Sequence, residues 1–323
     1  MAKKNKVLIC GATGFIGRNI AEALVKREDL ELFGTYFNSE PFDNPRIKML
    51  RVDLTNKADV NEIVEGMDII IQAAATTSGA SDIVNKPYYH VTDNAVMNSL
   101  LFRAAYEHNV SHVIFFSCTV MYQSSAVPVK ETDFNANQEI HPNYFGVGWT
   151  KVYVEKMCEF YSRIGRTKYT VIRHSNIYGP YDKFDLEKSH VFGATVTKVL
   201  TNRDGKLVVW GTGEEERDLL YVSDLLNFVE VAIDKQKAKF ALYNVGYGSS
   251  IPVSNLVKKI ITYSGKDIKM EYDESKPSIK TKLCLDISKA KSSLGWFPKV
   301  SLDEGIQKTI DWYKNELSKV KRT

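Results

Sequence analysis

The chain reads as an α/β protein in which a doubly wound domain on a parallel sheet precedes a smaller second domain. Three observations predict this class. Short apolar runs alternate with amphipathic stretches through the first half, a glycine-rich turn joins the first run to the first amphipathic stretch, and the rhythm breaks after Tyr178-Gly179-Pro180-Tyr181. Alternation of that kind is what successive βαβ units produce. The break sets a boundary, with 1–178 mainly the first domain and 179–323 mainly the second, part of which returns to the first.

Taken in order, Lys6 to Cys10 is the first predicted strand, followed by Leu30 to Tyr36, Ile47 to Val52, Asp68 to Ala73, Val113 to Ser117 and Thr170 to Ile172. Helices are predicted to begin near Ile16, Val60, Asp93 and Phe145, the third with Val96, Leu100, Leu101 and Ala104 at helical spacing. Beyond Tyr181 the pattern predicts loops and isolated helices. From Lys314 to Thr323 the basic composition predicts a helix end fraying into solvent.

Composition narrows the function classes. With 323 residues, 44% of them apolar and 25% charged, the chain matches soluble globular proteins and can bury a large core. Ile69 to Ala75, one of its longest uncharged apolar runs, is far short of the roughly 18 residues that would read as a membrane-spanning helix. Lys3, Lys4 and Lys6 precede an apolar run, yet that run enters a glycine turn without a cleavage region, so the start reads as a strand. The net charge of +4 is scattered, which argues against a nucleic-acid surface. Cys10, Cys118, Cys158 and Cys284 lack metal-type or short disulfide spacing, and a reducing cytoplasm fits them. His90, His108, His112 and His141 show no ligand spacing either, and no metal site is expected.

Gly11-Ala12-Thr13-Gly14-Phe15-Ile16-Gly17 follows a strand and opens a helix. Such glycines allow a tight turn and close approach of a pyrophosphate, which rests on amides at the helix N-terminus, as in a Rossmann-type dinucleotide site. Asp53 and Leu54, after the third strand, suit an adenine edge, and Ala73, Ala74 and Ala75 leave room for a cofactor along the backbone. NAD or NADP is therefore the expected cofactor. A carboxylate ending the second strand would bind a ribose diol and an arginine a 2′-phosphate, but Thr35-Tyr36-Phe37-Asn38 is neither. The lack of lysine or arginine from Thr35 to Glu40 points to NAD, with Arg18 the residue able to overturn that choice.

Lys151 poses the chemical question. A lysine that tunes a catalytic phenol works best one turn after it, and the position four residues earlier is Val147. Tyr144 lies on the same predicted helix face one turn further back, with Gly146 and Gly148 able to bend the start toward Lys151. Cys118, Thr119 and His174 are the other candidates for the proton route, and His174 is also a candidate cofactor contact.

More specific are Asn176-Ile177-Tyr178-Gly179-Pro180-Tyr181 running on to Ser189-His190-Val191, and Val209-Trp210-Gly211-Thr212-Gly213 running on to Arg217-Asp218 and Asp224. With the glycine turn, these resemble the extended short-chain dehydrogenase/reductases of the NAD-dependent epimerase/dehydratase family, closest to the GDP-L-fucose synthase branch. The resemblance covers Val7 to about Gly305. It implies a Rossmann-type domain and a discontinuous nucleotide-sugar domain. Asn176, His190, Val191, Trp210, Arg217 and Lys282 would contact a GDP-sugar, with Arg217 on the diphosphate. It also implies a homodimer packed through the helices Asp93 to Glu107 and Gly148 to Tyr161, where Tyr153, Met157 and Phe160 are interface or core.

Fucose synthases epimerise with a cysteine and a histidine and reduce with a Ser-Tyr-Lys set. Counting from Tyr122, Cys118 takes the serine position and Val120 the epimerising cysteine position, while Val147 takes the tyrosine position. Lys151 and His190 remain. The resemblance thus implies an NAD(P)-dependent dehydrogenase or reductase acting near C4 of a GDP-hexose or GDP-heptose, with a nucleotide-sugar epimerase, including a variant GDP-4-keto-6-deoxymannose epimerase-reductase, or a catalytically decayed binding protein as alternatives.

Overall fold

The structure, a computed structural model, describes residues 4–76, 86–186, 189–275 and 281–320. Its centre is a seven-stranded sheet in the order β10-β6-β5-β4-β1-β2-β3. The strands are β1 (Asn5–Cys10), β2 (Leu30–Tyr36), β3 (Ile47–Arg51), β4 (Ile69–Gln72), β5 (His112–Phe116), β6 (Lys168–His174) and β10 (Phe240–Val245), all paired in parallel. The first six lie where alternation placed them, with ends shifted by a residue or two. Parallel strands buried on both faces must be apolar throughout. Thus β1 sends Val7 and Ile9 into one core and Leu8 and Cys10 into the other.

Helices α1 (Phe15–Leu24) and α6 (Val222–Lys235) cover one face, and α2 (Lys57–Val64), α3 (Thr92–Glu107) and α4 (Phe145–Ile164) cover the other. In α1 the residues Gly17, Ile20, Ala21 and Leu24 are buried, the stripe a 3.6-residue period puts on one side. Truncating Leu24 to alanine there would cost about 2–5 kcal/mol through lost burial and a residual cavity.

Past Tyr178 the structure differs from the expected loops and isolated helices. Short strands β7 (Asn176–Tyr178), β11 (Ser250–Pro252) and β13 (Lys282–Leu283) pair with β9 (Glu216–Tyr221), and β8 (Lys206–Trp210) pairs with β12 (Lys269–Asp273). They escape periodicity because they are brief and one-sided: β8 alternates exposed and buried along its length. Helices α5 (Val191–Thr201), α7 (Val253–Ser264) and α9 (Leu302–Val320) close a third core around Tyr178, Phe192, Leu256 and Ile306, while α8 (Ser288–Leu294) packs on the main sheet. The expected frayed end is helical through Val320, and 321–323 lie outside the described residues. Among the described residues no helix is long and apolar enough to cross a membrane.

Candidate functional site

The glycine turn sits at the carboxyl ends of β1 and β4, where the strand order reverses and open α/β sheets bind ligands. Gly11 has φ +73°, and a Cβ there would lie 2.7 Å from Ala74 Cα. A Cβ on Gly17 would lie 2.1 Å from the Gly11 carbonyl oxygen. Helix, turn and Ala73–Ala75 segment can meet this closely only without those side chains. Thr35 accepts the Gly11 amide on Oγ1 at 3.0 Å and the Ala12 amide on its carbonyl at 2.9 Å, which locks the turn to the end of β2. Gly14 caps α1 with no side-chain bond, so the amides of the first turn, Phe15 and Ile16 included, face outward uncapped beside partly buried Thr13. These residues fit a dinucleotide pyrophosphate: glycines that let the turn, helix and Ala74 pack this closely also leave the first-turn amides of α1 without a side-chain cap.

The flanks of this cradle are fixed by polar side chains. Gln72 donates to Asn98 at 3.0 Å, Asn98 donates to the Asn94 carbonyl at 2.7 Å, and Asn94 brackets the Thr76 backbone at 3.0 and 2.9 Å. This chain of amides holds the segment after β4, of which Ala75 is exposed. Leu54 is buried, and Asp53 spends one carboxylate oxygen on the Thr55 amide and hydroxyl at 2.9 and 2.6 Å. The other oxygen is the one an adenine edge could meet.

Lys151, on α4, donates to the Phe116 carbonyl at 2.9 Å and lies 4.9 Å from the Phe115 ring centroid. Burial lowers its ammonium pKa, while the neighbouring Cys118, Glu155 and Cys158 oppose the shift. Burial likewise raises the Cys118 thiol, against the pull of Lys151 and of the Val120 amide that bonds its sulfur. The Thr119 carbonyl accepts the Tyr122 amide at 3.0 Å. Because Phe116 pairs with Ile172, the register brings Cys118 and His174 to the ends of adjacent strands. His174 Nδ1 lies 2.8 Å from the Ser175 carbonyl; a carbonyl only accepts, so Nδ1 carries the proton and Nε2 the lone pair. Burial holds this imidazole at about 4, with Lys151 and His190 adding to the shift.

Tyr144 departs from the expected helix face. Pro142–Tyr144 forms a 3₁₀ turn capped by His141, and Tyr144 is the N-cap of α4 rather than a residue within it. The nearby glycines permit close contact, since a Cβ on Gly148 would sit 3.0 Å from Ile140 Cδ1. Tyr144 nonetheless feels charges from both halves of the chain. Burial raises its phenol pKa, Arg217 pulls it back, and Cys118 adds to the rise.

Arg217 and Lys282 stand on neighbouring strands but on opposite faces, since Lys282 is in register with Glu216 and Leu283 with Arg217. Arg217 donates through Nη1 to Thr281 O and Oγ1 at 2.8 and 3.1 Å, and burial lowers its pKa against the pull of Tyr144. Asp218 is no partner for it, because that buried carboxylate accepts amides of Tyr247, Gly248 and Leu285 at 2.7, 3.2 and 3.1 Å. Lys282 is ion-paired with Glu216 at 3.2 Å, and Asn176 donates to the Asp218 carbonyl at 3.0 Å, holding β7 to β9. Trp210 is 49% exposed, with Lys198 5.2 Å from its ring, so it is not a core residue. His190 is the exposed N-cap of α5, and Val191 begins that helix.

Beneath the site lies a buried network that motif spacing alone does not reveal. Arg173 binds Glu155 through Nε and Nη2 at 3.0 and 2.6 Å, Ser117 donates to Glu155 at 2.6 Å, and Arg173 also donates to Tyr122 at 2.8 Å. Tyr122 in turn donates to Asn244 at 2.8 Å. Glu155 follows Lys151 by one helical turn, the one sequence signal that could have exposed it. No group of metal-ligating side chains occurs among the described residues.

Known proteins are similar to this chain over nearly its whole length. GDP-L-colitose synthase of Yersinia pseudotuberculosis is 29% identical over 320 residues, covering 96% of this chain and 98% of its own. GDP-L-fucose synthase 1 of Arabidopsis thaliana is 29% identical over 322 residues, covering 96% and 94%. The crystal structure of UDP-glucose 4-epimerase from Thermotoga maritima with UDP-glucose superposes with a TM-score of 0.86 at 25% identity, covering 97% and 99%. The family described as NAD dependent epimerase/dehydratase matches residues 7–246, which include the glycine cradle, Lys151 and Arg217. With that match spanning about three quarters of its length, the chain belongs to the NAD dependent epimerase/dehydratase family.

Proposed function

We propose that this chain is an NAD(P)-dependent oxidoreductase acting at C4 of a GDP-hexose or GDP-heptose. The observation that carries the reading is the position of Tyr144, whose phenol feels Cys118 at the redox end and Arg217 at the nucleotide end. A side chain placed between a cofactor cradle and a guanidinium suited to diphosphate is where a reacting sugar would lie. GDP is favoured as the carrier by the names of the colitose and fucose synthases, which match over nearly their full length.

The bound dinucleotide supplies hydride chemistry. Lys151, held on the Phe116 carbonyl, orients the cofactor ribose and contributes positive field. Tyr144, kept protonated by burial, gives its proton to the oxygen of the ring carbon being reduced, and Arg217 stabilises the resulting phenolate. His174 presents a neutral Nε2 acceptor, and Cys118 completes the wall. The exposed Trp210 and Lys198 offer a base-stacking face and a cation, while His190 closes the sugar end. The protein works as a homodimer through α3 and α4, which leave Tyr106, Tyr153, Phe160 and Ile164 exposed.

The likeness to a UDP-glucose 4-epimerase favours a second reading, transient oxidation with a retained cofactor. Following reduced-cofactor absorbance while analysing the sugar separates the two. Net change in absorbance with GDP-mannose, GDP-manno-heptose or their 4-keto-6-deoxy forms supports the oxidoreductase. A new sugar isomer without net change supports the epimerase, and neither outcome with any GDP-sugar, together with no GDP-sugar binding, rejects both.

A further inference from the structure

Between β7 and α5 the chain makes a tight elbow, Gly179-Pro180-Tyr181-Asp182, in which Gly179 has φ +145° and Tyr181 has φ +66°. A bulky aromatic residue is strained in the left-handed region and stays there only where surrounding contacts hold it. Here those contacts come from three helices. On the cofactor helix α1, Asn19 donates to the Pro180 carbonyl at 2.8 Å and to the Phe15 carbonyl, in the first turn, at 2.9 Å. Glu22, three residues on, accepts the Tyr181 hydroxyl at 3.0 Å. On α9, the Trp312 ring lies 5.2 Å from that of Tyr181 and 5.7 Å from that of Phe184. On α5, Thr197 donates to the Phe184 carbonyl at 2.7 Å, and a Cβ on Gly193 would lie 2.4 Å from the Lys183 carbonyl oxygen.

We propose that this elbow couples the two ligand sites, so that a bound dinucleotide tightens the grip on the nucleotide sugar. The inference rests on the cofactor and nucleotide-sugar reading above. Asn19 is the shared piece, because its side-chain amide spans the first turn of α1, where a pyrophosphate would rest, and the start of the elbow. The far end is α5, with His190 as its N-cap and Lys198 5.2 Å from the exposed Trp210 ring. A dinucleotide that fixes the first turn of α1 fixes Asn19 and Glu22 with it. These hold Tyr181 in its strained conformation, and the held elbow seats α5 through Lys183 and Phe184. Without that support Tyr181 relaxes toward negative φ, its hydroxyl leaves Glu22, and α5 loosens. One short segment with two arrangements, biased from both ends, is what coupling between separate sites requires. Asn19 and Tyr181 act through α1 and α5, and both are positioning residues. The expected coupling is about 5- to 150-fold in affinity, the usual range between linked sites.

The test is calorimetric titration of the full chain with GDP, alone and with saturating NAD⁺ or NADP⁺, for wild type, Tyr181→Phe and Asn19→Ala. GDP carries no reacting sugar, so turnover does not disturb the titration. Wild type is expected to bind GDP at least about fivefold more tightly beside whichever dinucleotide it takes, and to bind that dinucleotide more tightly by the same factor when GDP is present. Tyr181→Phe keeps the ring on Trp312 and loses the bond to Glu22. Its ratio of the two GDP affinities falls toward one, while the affinity for GDP alone stays within about twofold of wild type. Asn19→Ala lowers the ratio in the same way. A ratio of one or less in wild type, or a ratio unchanged in Tyr181→Phe, overturns the inference and leaves both ligand readings standing. Equal loss of GDP affinity with and without dinucleotide in both variants gives the elbow a structural role only, and overturns it too. Wild type that binds no GDP, or neither dinucleotide, overturns the reading on which the inference rests.

Discussion

Glu155 and Arg173 form a two-point ion pair, at 3.0 and 2.6 Å, in which the side chains are only 6% and 5% exposed. It joins α4 to β6 directly below Lys151 and His174. Removing one partner leaves an uncompensated buried charge, which costs about 3–5 kcal/mol. Arg173→Met is expected to lower the denaturant midpoint accordingly. Glu155→Ala should also release Ser117, whose hydroxyl donates to Glu155 at 2.6 Å, and lower turnover beyond the loss of folded protein. A midpoint unchanged in both variants would refute a structural role for the pair.

Tyr144→Phe keeps the ring and removes the hydroxyl. Loss of a general acid lowers kcat by about 10²- to 10⁴-fold. Cofactor affinity should stay within about twofold, since the glycine cradle is untouched. Cys118→Ala should fall less steeply. If steady-state kinetics show the reverse order, the thiol, not the phenol, carries the proton.

Asp182 provides a pH signature. It is buried, its Oδ1 accepts the Lys183 amide at 2.7 Å, its Oδ2 has no partner among the described residues, and burial raises its pKa to about 7. Between about 4 and about 7 the unfolded chain releases this proton while the folded chain keeps it, so stability falls as pH rises through that window and levels off above it. Asp182→Asn removes the penalty. It should be more stable than wild type at pH 8, by roughly 2–4 kcal/mol at most, and similar to wild type at pH 4. Parallel stability curves from pH 4 to 8 would exclude this account.

Phe160 is 54% exposed and packs edge-on against Tyr161, near the equally outward Ile164. On the proposed dimer, Phe160→Glu places a charge in a dry interface and should shift the sedimentation coefficient to that of a monomer. A wild-type monomer at micromolar concentration would rule the dimer out.

The first six strands and the glycine cradle were legible in the sequence because both follow from local rules: alternation needs only neighbouring residues, and a tight turn before a helix needs only its own glycines. The short strands β8, β11 and β13 were not, because each is stabilised by a partner far along the chain rather than by its own pattern. Lys151 could be marked by its spacing from Val147, yet its contact with the Phe116 carbonyl needs β5 packed beside α4. Spacing alone puts Tyr144 on a continuous helix face; Pro142 instead sets a 3₁₀ turn, and the pull of Arg217 on the phenol depends on the fold of the second half.

The sequence by itself determined the class of protein, the cofactor cradle and the set of groups available for chemistry, since these depend on residue type and spacing. Tertiary structure decided which groups meet. It put Arg18 against Phe42, tied Lys282 to Glu216, and sank Glu155 beneath the site with Arg173. Charge interactions depend on distance and on the removal of water, and both are properties of the packed chain.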